Sequence, residues 1–527
     1  MGRVFAALLA VSAGIFPAGS LFSADWPQWR GPERNGLVPA SVPLLDAFPD
    51  GGPKKLWESE DLQPAGNGSF GSVSIADGCA YVYLDRGYTV PKEDRVLTKD
   101  ILSGLGWAPD MPADLSKLVE EARVSEARTK LKNYAEQSPW VTEWLKANIK
   151  PETRKFSGAA QARLFAGPNA IPLDLLAKLV PIADKVFPNQ AAFDQWFKDN
   201  NIDPAAAKEA TRRVASTNPA CQNFVACLDA NTGKTRWKVE VDAKIPSLIA
   251  SGTPTVVSGR VYFLASDSVV YCLDAKAGKE IWKKKPFAKP ADSHCSVLVA
   301  DGVVVVIGTT TVGLDAQTGD LLWELKNSGA QYPSPVLWKT ADKTCVIVQG
   351  RQLACLDVKT GKPLWTAPGS GYSTPAVVGD SLALIVGKKL LAYKLSPDKA
   401  EKLWELPFPE DYASPVIYKD HVYAVGSAER NGKQGRALCV DLATGKIAWD
   451  GVVEGAALCS SPLVADDKLI ALAGKQIVLI KASPDQFSLL SKAVVTKDEG
   501  FTSPSLADGK VFLRVGNKVV CYDLAKR

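Results

Sequence analysis

From residue 221 onward, apolar and polar positions alternate in short runs separated by turn signals, the pattern of half-buried strands. TPTVVSGRVYFLAS from Thr253, SPVIYKDHVYAVGS from Ser414 and SPSLADGKVFLRVG from Ser503 each open on Ser or Thr, turn at an Asp-Gly-like pair and run back. Such starts fall at Ser72, Thr253, Ser296, Ser334, Thr374, Ser414, Ser461 and Ser503. Most units also carry a tail that ends in tryptophan: CLDANTGKTRW to Trp237, CLDAKAGKEIW to Trp282, GLDAQTGDLLW to Trp323, CLDVKTGKPLW to Trp365 and CVDLATGKIAW to Trp449. A degenerate copy ends at Trp404, and another ends near Leu490 without its tryptophan. A period of about 40 residues marks a repeat fold. Each unit reads as strands A to D with a Thr-Gly turn between C and D, so the pattern predicts an all-β chain forming an eight-bladed β-propeller. The last unit stops after strand C, whereas Lys54-Lys55-Leu56-Trp57 is a tail without a blade. The N-terminal segment is therefore expected to supply the missing outer strand and leave no open sheet edge.

Residues 88–220 break the alternation. The run from Pro112 has apolar residues at helical spacing, Asp203-Pro204 reads as an N-cap followed by proline at the first helical position, and Pro151, Leu173 to Phe187 and Asn189 to Asn200 suggest further short helices. This predicts an α-helical insertion in the first blade, between its strands B and C. B-to-C and D-to-A connections share one face of a propeller, so the insertion is expected as a lid or partner platform over the central mouth. The chain then divides into 1–24, an export signal; 25–87, the closing strand and start of blade 1; 88–220, the insertion; and 221–527, the remaining propeller.

The signal is read from Arg3, the apolar run Val4 to Phe16 and the small residues that follow, with cleavage after Ser20 or Ala24. A periplasmic or secreted location follows as the expectation. The first cysteine is Cys79, so no lipid attachment is expected, and no later apolar run is long enough to span a membrane. The net charge of +5 without a dense Lys/Arg run excludes a nucleic-acid footprint. The cysteines do not read as a disulfide framework, because Cys227, Cys272, Cys355, Cys439 and Cys521 recur at one strand position, as small apolar residues would. Cys79 and Cys221 flank the insertion and could pair.

The Asp-x-x-Thr-Gly-Lys-x-x-Trp tails resemble the tryptophan-docking repeats of pyrroloquinoline-quinone-type propellers, a group that contains quinoprotein dehydrogenases and the outer-membrane assembly factor BamB. Asp25-Trp26-Pro27-Gln28-Trp29-Arg30-Gly31-Pro32 resembles the opening of exported propellers abundant in planctomycete-type bacteria. Trp57, Trp237, Trp282, Trp323, Trp365, Trp404 and Trp449 are expected to be structural, each ring covering a blade junction while its N–H reaches a backbone acceptor.

Candidate binding residues fall on the D-to-A and B-to-C face. Phe70, His294, Tyr332, Tyr372, Tyr412 and Phe501 stand two residues before strand A, either as a mouth ring able to stack on a flat or sugar-like ligand or as plugs between blades. Arg351, Lys388, Lys389, Lys475 and Lys518 on B-to-C turns form a candidate basic rim, opposite acidic turns at Asp77, Asp301, Asp466-Asp467 and Asp508. Catalytic chemistry finds little support. There is no C-x-x-C-H haem site, His294 and His421 are too few for zinc, His294 and Cys295 as strand neighbours point apart, and no acidic cluster is assignable to calcium. No catalytic, metal or cofactor residue is assigned. The expectation is a monomeric, non-catalytic exported scaffold or binding protein whose partner is an exported or envelope protein or a glycan. A pyrroloquinoline-quinone dehydrogenase with calcium is the alternative, and a carbohydrate or anionic-polymer binder a further one.

Overall fold

The computed structural model describes residues 25–62, 71–241, 251–289, 291, 293–427, 434–455, 459–496 and 502–527. The export signal, Phe70 and Phe501 lie outside the described residues. The chain separates into two compact units, one reaching Tyr88 and resuming at Ala220, the other running from Thr89 to Pro219.

The first unit is a β-propeller built from eight four-stranded antiparallel sheets. Blades 1 to 8 begin with the inner strands Ser74–Ala76, Thr255–Val257, Leu298–Ala300, Val336–Lys339, Ala376–Val378, Val416–Tyr418, Leu463–Ala465 and Ser505–Ala507. Second strands read as continuous apolar runs rather than alternating ones, as in the fully buried Val303–Ile307, because both faces of a blade are covered by its neighbours. Outer strands expose one face, so in Leu321–Leu325 only Trp323 is buried. The A-to-B hairpins are tight; Asp301 (φ 48°) and Gly302 (φ 79°) supply the two left-handed residues of a two-residue turn. Blade 8 is completed by Lys54–Glu58, which pairs antiparallel with Lys518–Asp523 and sets Trp57 opposite Cys521. The ring is thus closed by strands from the two ends of the chain.

Five tail turns are built by their aspartates, Asp229, Asp274, Asp315, Asp357 and Asp441. Asp229 Oδ1 accepts from the N–H groups of Asn231 (3.0 Å) and Thr232 (2.9 Å), and Gly233 follows at φ 71°. The preceding blade's tryptophan lies on that glycine, where a Cβ would come within 2.4 Å of the Trp57 ring. Its Nε1–H donates to the backbone beside the turn: Trp57 to Ala230 (3.0 Å), Trp237 to Ala275 (3.0 Å), Trp282 to Ala316 (3.2 Å), Trp323 to Val358 (3.0 Å), Trp365 to Ser396 (3.0 Å), Trp404 to Leu442 (2.8 Å) and Trp449 to Ser483 (2.7 Å). The strand-C cysteines stand directly across from these rings, as in Cys272 opposite Trp282 and Cys355 opposite Trp365. Blade 3 has Gly313 there, and a Cβ would approach Trp323 to 2.1 Å, so the position demands a small residue. All ten cysteines, Cys79 and Cys221 included, are free thiols.

At the axis the residues that open each repeat form a closed belt. Ser72 N–H donates to Thr253 Oγ1 (2.9 Å), Thr253 to Ser296 (2.9 Å), Ser296 to Ser334 (2.9 Å), Ser334 to Thr374 (2.9 Å), Thr374 to Ser414 (3.1 Å), Ser414 to Ser461 (2.9 Å), Ser461 to Ser503 (3.0 Å) and Ser503 back to Ser72 (3.1 Å). The chain from Trp26 to Val38 runs among the inner strands just past this belt. Trp26 bridges to Ile75 in blade 1, Pro27 accepts from Val256 N–H in blade 2 (2.8 Å), and Gly36 and Val38 bracket Val464 in blade 7 (2.8 and 3.0 Å). Arg34 donates to Ser296 and Val297 carbonyls in blade 3 (2.7 Å each), and Arg30 to the Pro415 carbonyl in blade 6. The segment used for family resemblance is an axial plug that satisfies the free edges of inner strands.

The second unit is helical. Its longer helices are Ala113–Arg123, Tyr134–Asn148, Ser157–Ala166, Gln190–Asp199 and Pro204–Arg213, the last capped by Asp203, whose Oδ1 accepts from Ala205 and Ala206 N–H (3.0 Å each). Two cores form, one around Phe193, Phe197 and Leu176, the other around Val119, Val141 and Leu164. The apolar run Leu173 to Phe187 is helical only through Leu179 and a 3-10 turn at Val180–Ile182; Pro181, lacking an N–H, ends the α-helix, and Val186–Phe187 instead pairs with Arg95–Val96. Among the described residues, no helix is long and apolar enough to cross a membrane.

Candidate functional site at the axial mouth

The belt draws the strand starts toward the axis, and the residues two positions earlier in the chain follow. His294, Tyr332, Tyr372 and Tyr412, from blades 3 to 6, consequently meet. His294 stacks on Tyr332 with centroids 4.8 Å apart, and Tyr372 on Tyr412 at 5.0 Å. Tyr332 meets the second pair edge-on, 5.3 Å from Tyr372 and 5.5 Å from Tyr412. Offset stacks joined by T-shaped contacts are the arrangement that aromatic quadrupoles favour. The four rings form a packed knot in which each gives one face to another, rather than a ring around an opening. Tyr372 and Tyr412 still expose 43% and 37% of their surface. The remaining two blades with described residues at this position carry Ser251 and Cys459, so among the described residues the knot is confined to blades 3 to 6.

Under the knot lies a residue that sequence reasoning missed. Glu410, two residues before Tyr412, is 2% exposed. Its Oε1 accepts from Ala413 N–H and its Oε2 from Cys459 N–H (3.4 Å), so the carboxyl group bridges blades 6 and 7. Burial pushes its pKa up, opposed by those backbone N–H groups and by the ones of Ser427 and Tyr412, to about 8. Gly426 makes the room, since a Cβ there would come within 2.5 Å of Glu410 Cγ. That glycine closing an apolar strand, beside a loop that carries an acid four residues before strand A, was the available signal.

The basic turns are less uniform than the sequence suggests. Lys389 pairs with Glu405 (2.7 Å) and Lys518 with Glu58 (3.1 Å), each bound across the two outer strands of its own blade. Arg351, Lys388 and Lys475 are exposed and make no ion pair with described residues. On the opposite turns, Asp467 is engaged by Lys419 and Tyr418, and Asp466 by Lys468. Part of the charge contrast between faces is therefore neutralised locally.

Neither Cys295 nor His421 is set up as a nucleophile or base among the described residues. Cys295 is 1% exposed, its Sγ lies 3.1 Å from the Ile307 carbonyl and burial raises its thiol pKa, the opposite of an activated nucleophile. His421 engages the Lys419 carbonyl through Nδ1 (2.8 Å). Among the described residues, no three His, Cys, Asp or Glu side chains converge as a metal site.

Comparison with solved structures finds BamB from Moraxella catarrhalis at 16% identity and a TM-score of 0.45, covering 58% of this chain and 89% of that one. Quinohemoprotein alcohol dehydrogenase ADHIIG from Pseudomonas putida HK5 aligns at 13% identity and 0.46, covering 58% and 73%, and the enzyme from Comamonas testosteroni at 15% and 0.43, covering 58% and 72%. Comparison with curated protein sequences returns no match. The family model described as outer membrane protein assembly factor BamB matches residues 221–449 and again 333–526. With tryptophan-docked repeats of the pyrroloquinoline-quinone type around a closed axis, the chain belongs to this BamB family.

Proposed function

We propose that this is an exported, non-catalytic binding propeller that engages an envelope protein on its D-to-A and B-to-C face, with Tyr372 and Tyr412 as anchors. The observation that carries this reading is the aromatic knot: two tyrosines held rigid by stacking, yet more than a third exposed. Tyrosines pre-ordered in this way lose little conformational entropy when a partner covers them, which is why such residues dominate interface hot spots. Arg351, Lys388 and Lys475 would steer an acidic partner surface toward them.

A photo-crosslinking amino acid at position 412, expressed in the native host, tests the proposal. A discrete adduct with an envelope protein, absent from a control at Asp301 on the opposite turns, is expected. No adduct above that control, or one with glycan alone, would reject it.

For the quinone alternative, the one feature in favour is the buried Glu410 with its raised pKa. Both its oxygens, however, are held by backbone N–H groups, and a planar cofactor at the mouth would have to displace a ring that already stacks on another. These observations among the described residues speak against a fit to pyrroloquinoline quinone with calcium. Saturable binding of that pair with dye-linked alcohol oxidation by the purified protein would reverse the preference.

A further inference from the structure

The axial plug buries two positive charges that meet carbonyl oxygens and, for Arg30, the Trp29 ring (5.7 Å), but no carboxylate among the described residues. Arg30 is 2% exposed and Arg34 fully buried. Arg30 donates through Nη2 to the Asn35 and Pro415 carbonyls, and its Nε and Nη1 meet no acceptor. Arg34 donates to Gln28 Oε1 (3.1 Å) and to the Ser296 and Val297 carbonyls, and its Nε meets none. No carboxylate of the described residues pairs with either. Burial pushes both guanidinium pKa values down to about 9, and for Arg30 the charge of Arg34 lowers it further, so the two cations lie within each other's field. Buried charge without a counter-charge is the costliest arrangement a core can hold.

The hydroxyl belt adds donors to the same level of the channel. Arg34 reaches the carbonyl of Ser296, itself a belt member, and Arg30 the carbonyl of Pro415, one residue past Ser414. Each belt oxygen is occupied as an acceptor by a neighbour's N–H, as in Ser334 accepting from Ser296, and donates its own hydrogen to no described residue. A hydroxyl has one hydrogen to give and a guanidinium five. Among the described residues, this stretch of the axis therefore gathers unused donors and two positive charges without a counter-charge.

We propose that the axial channel binds a small monovalent inorganic anion, chloride in size and charge, beside Arg30 and Arg34 at the level of the Ser/Thr belt. The ion neutralises the guanidinium pair, accepts from Arg30 and from belt hydroxyls, and fastens the N-terminal plug to the blades it crosses. It is independent of any partner at the mouth.

The test compares purified protein in chloride with protein in gluconate at the same ionic strength. Chloride is expected to raise the unfolding temperature saturably, by about 2–4 °C, and the rise is expected to vanish in Arg30→Met and to survive in the surface variant Lys388→Met. Should Arg30→Met fail to fold, crystals of the native chain soaked in bromide decide. An anomalous peak beside Arg30 and Arg34 supports the site. Water alone or a protein carboxylate at that place, or an unfolding temperature indifferent to chloride, overturns it.

Discussion

Neighbouring blades are joined at the perimeter by an indole docked on the next blade's C-to-D turn, a glycine turn in five of seven cases, and at the axis by a hydroxyl accepting a backbone N–H. Seven junctions carry the indole bond, but in blade 7 the register sets Ser491 where the others have tryptophan, and Tyr522 Oη–H donating to Val495 (2.9 Å) links blades 7 and 8 instead. The axial belt has no such lapse, with Ser or Thr at every start. The difference follows from solvent. Perimeter strands expose one face, so a missing indole costs packing that another contact can supply. At the axis an orphaned N–H has no water to turn to, and buried backbone donors are almost always paired. Variation is permitted where water can substitute and suppressed where it cannot.

Breaking the perimeter joint should show its largest effect at Trp57. This ring covers a junction, stands in the strand that closes blade 8 and packs edge-on against Phe512 (5.8 Å). Trp57→Ala is expected to lower stability by about 3–5 kcal/mol, as for large-to-small core changes. Equilibrium urea unfolding measures it. A loss no greater than that of an exposed side chain would mean that the ring closes without its terminal strand.

Glu410 is an axial joint that titrates. Its folded pKa of about 8 exceeds the ordinary value of 4.5, so the folded state holds a proton that the unfolded chain releases. The associated stability is present in full below pH 4.5 and is lost as pH rises through about 8, with a slope of up to about 1.4 kcal/mol per pH unit. Glu410→Gln imitates the protonated acid and should flatten unfolding temperature against pH across that window. A slope unchanged by the substitution would remove Glu410 from the joint.

A single belt link should cost less. Ser334→Ala orphans the N–H of Ser296 and is expected to lose about 1–3 kcal/mol, the penalty of a buried unpaired donor. Ser334→Thr should be nearly neutral, since Thr253 and Thr374 already serve in the belt. Equal losses for the two substitutions, read by urea unfolding, would show that volume rather than the hydroxyl matters there.

What could be read in the sequence divides along the same line. Blade number, the closing strand and the tryptophan tails were legible because each leaves a periodic mark within one repeat. The belt residues were visible as starts, but their role was not, because every hydroxyl acts on an N–H in the preceding repeat, 40 residues away for Thr374 and Ser334. Arg30 and Arg34 belong to a segment that occurs once in the chain, so no period announces them, and their partners in the blades lie 262 to 385 residues ahead. The position of His294, Tyr332, Tyr372 and Tyr412 before strand A was readable; that they stack on one another depends on how far the belt contracts the starts. Glu410 escaped because acids stand four residues before strand A in only some repeats, at Asp292 and Glu499 besides, beside Gly, Ile, Ala and Ser in the others, so the position forms no pattern.

The smallest expected effect on stability tests whether the mouth is joint or surface. If the tyrosines mainly hold blades 5 and 6 together, Tyr372→Ala and Tyr412→Ala should cost as much as an axial link. Their partial exposure argues otherwise. Each should lose about 0.5–1.5 kcal/mol, the worth of an aromatic pair, while Tyr372→Ala abolishes the crosslink formed at position 412. Urea unfolding and crosslinking on the same samples separate the two roles. A large stability loss with the crosslink retained would make the knot a third blade joint, whereas a small loss with the crosslink gone leaves it as the surface that the belt and the plug hold in place.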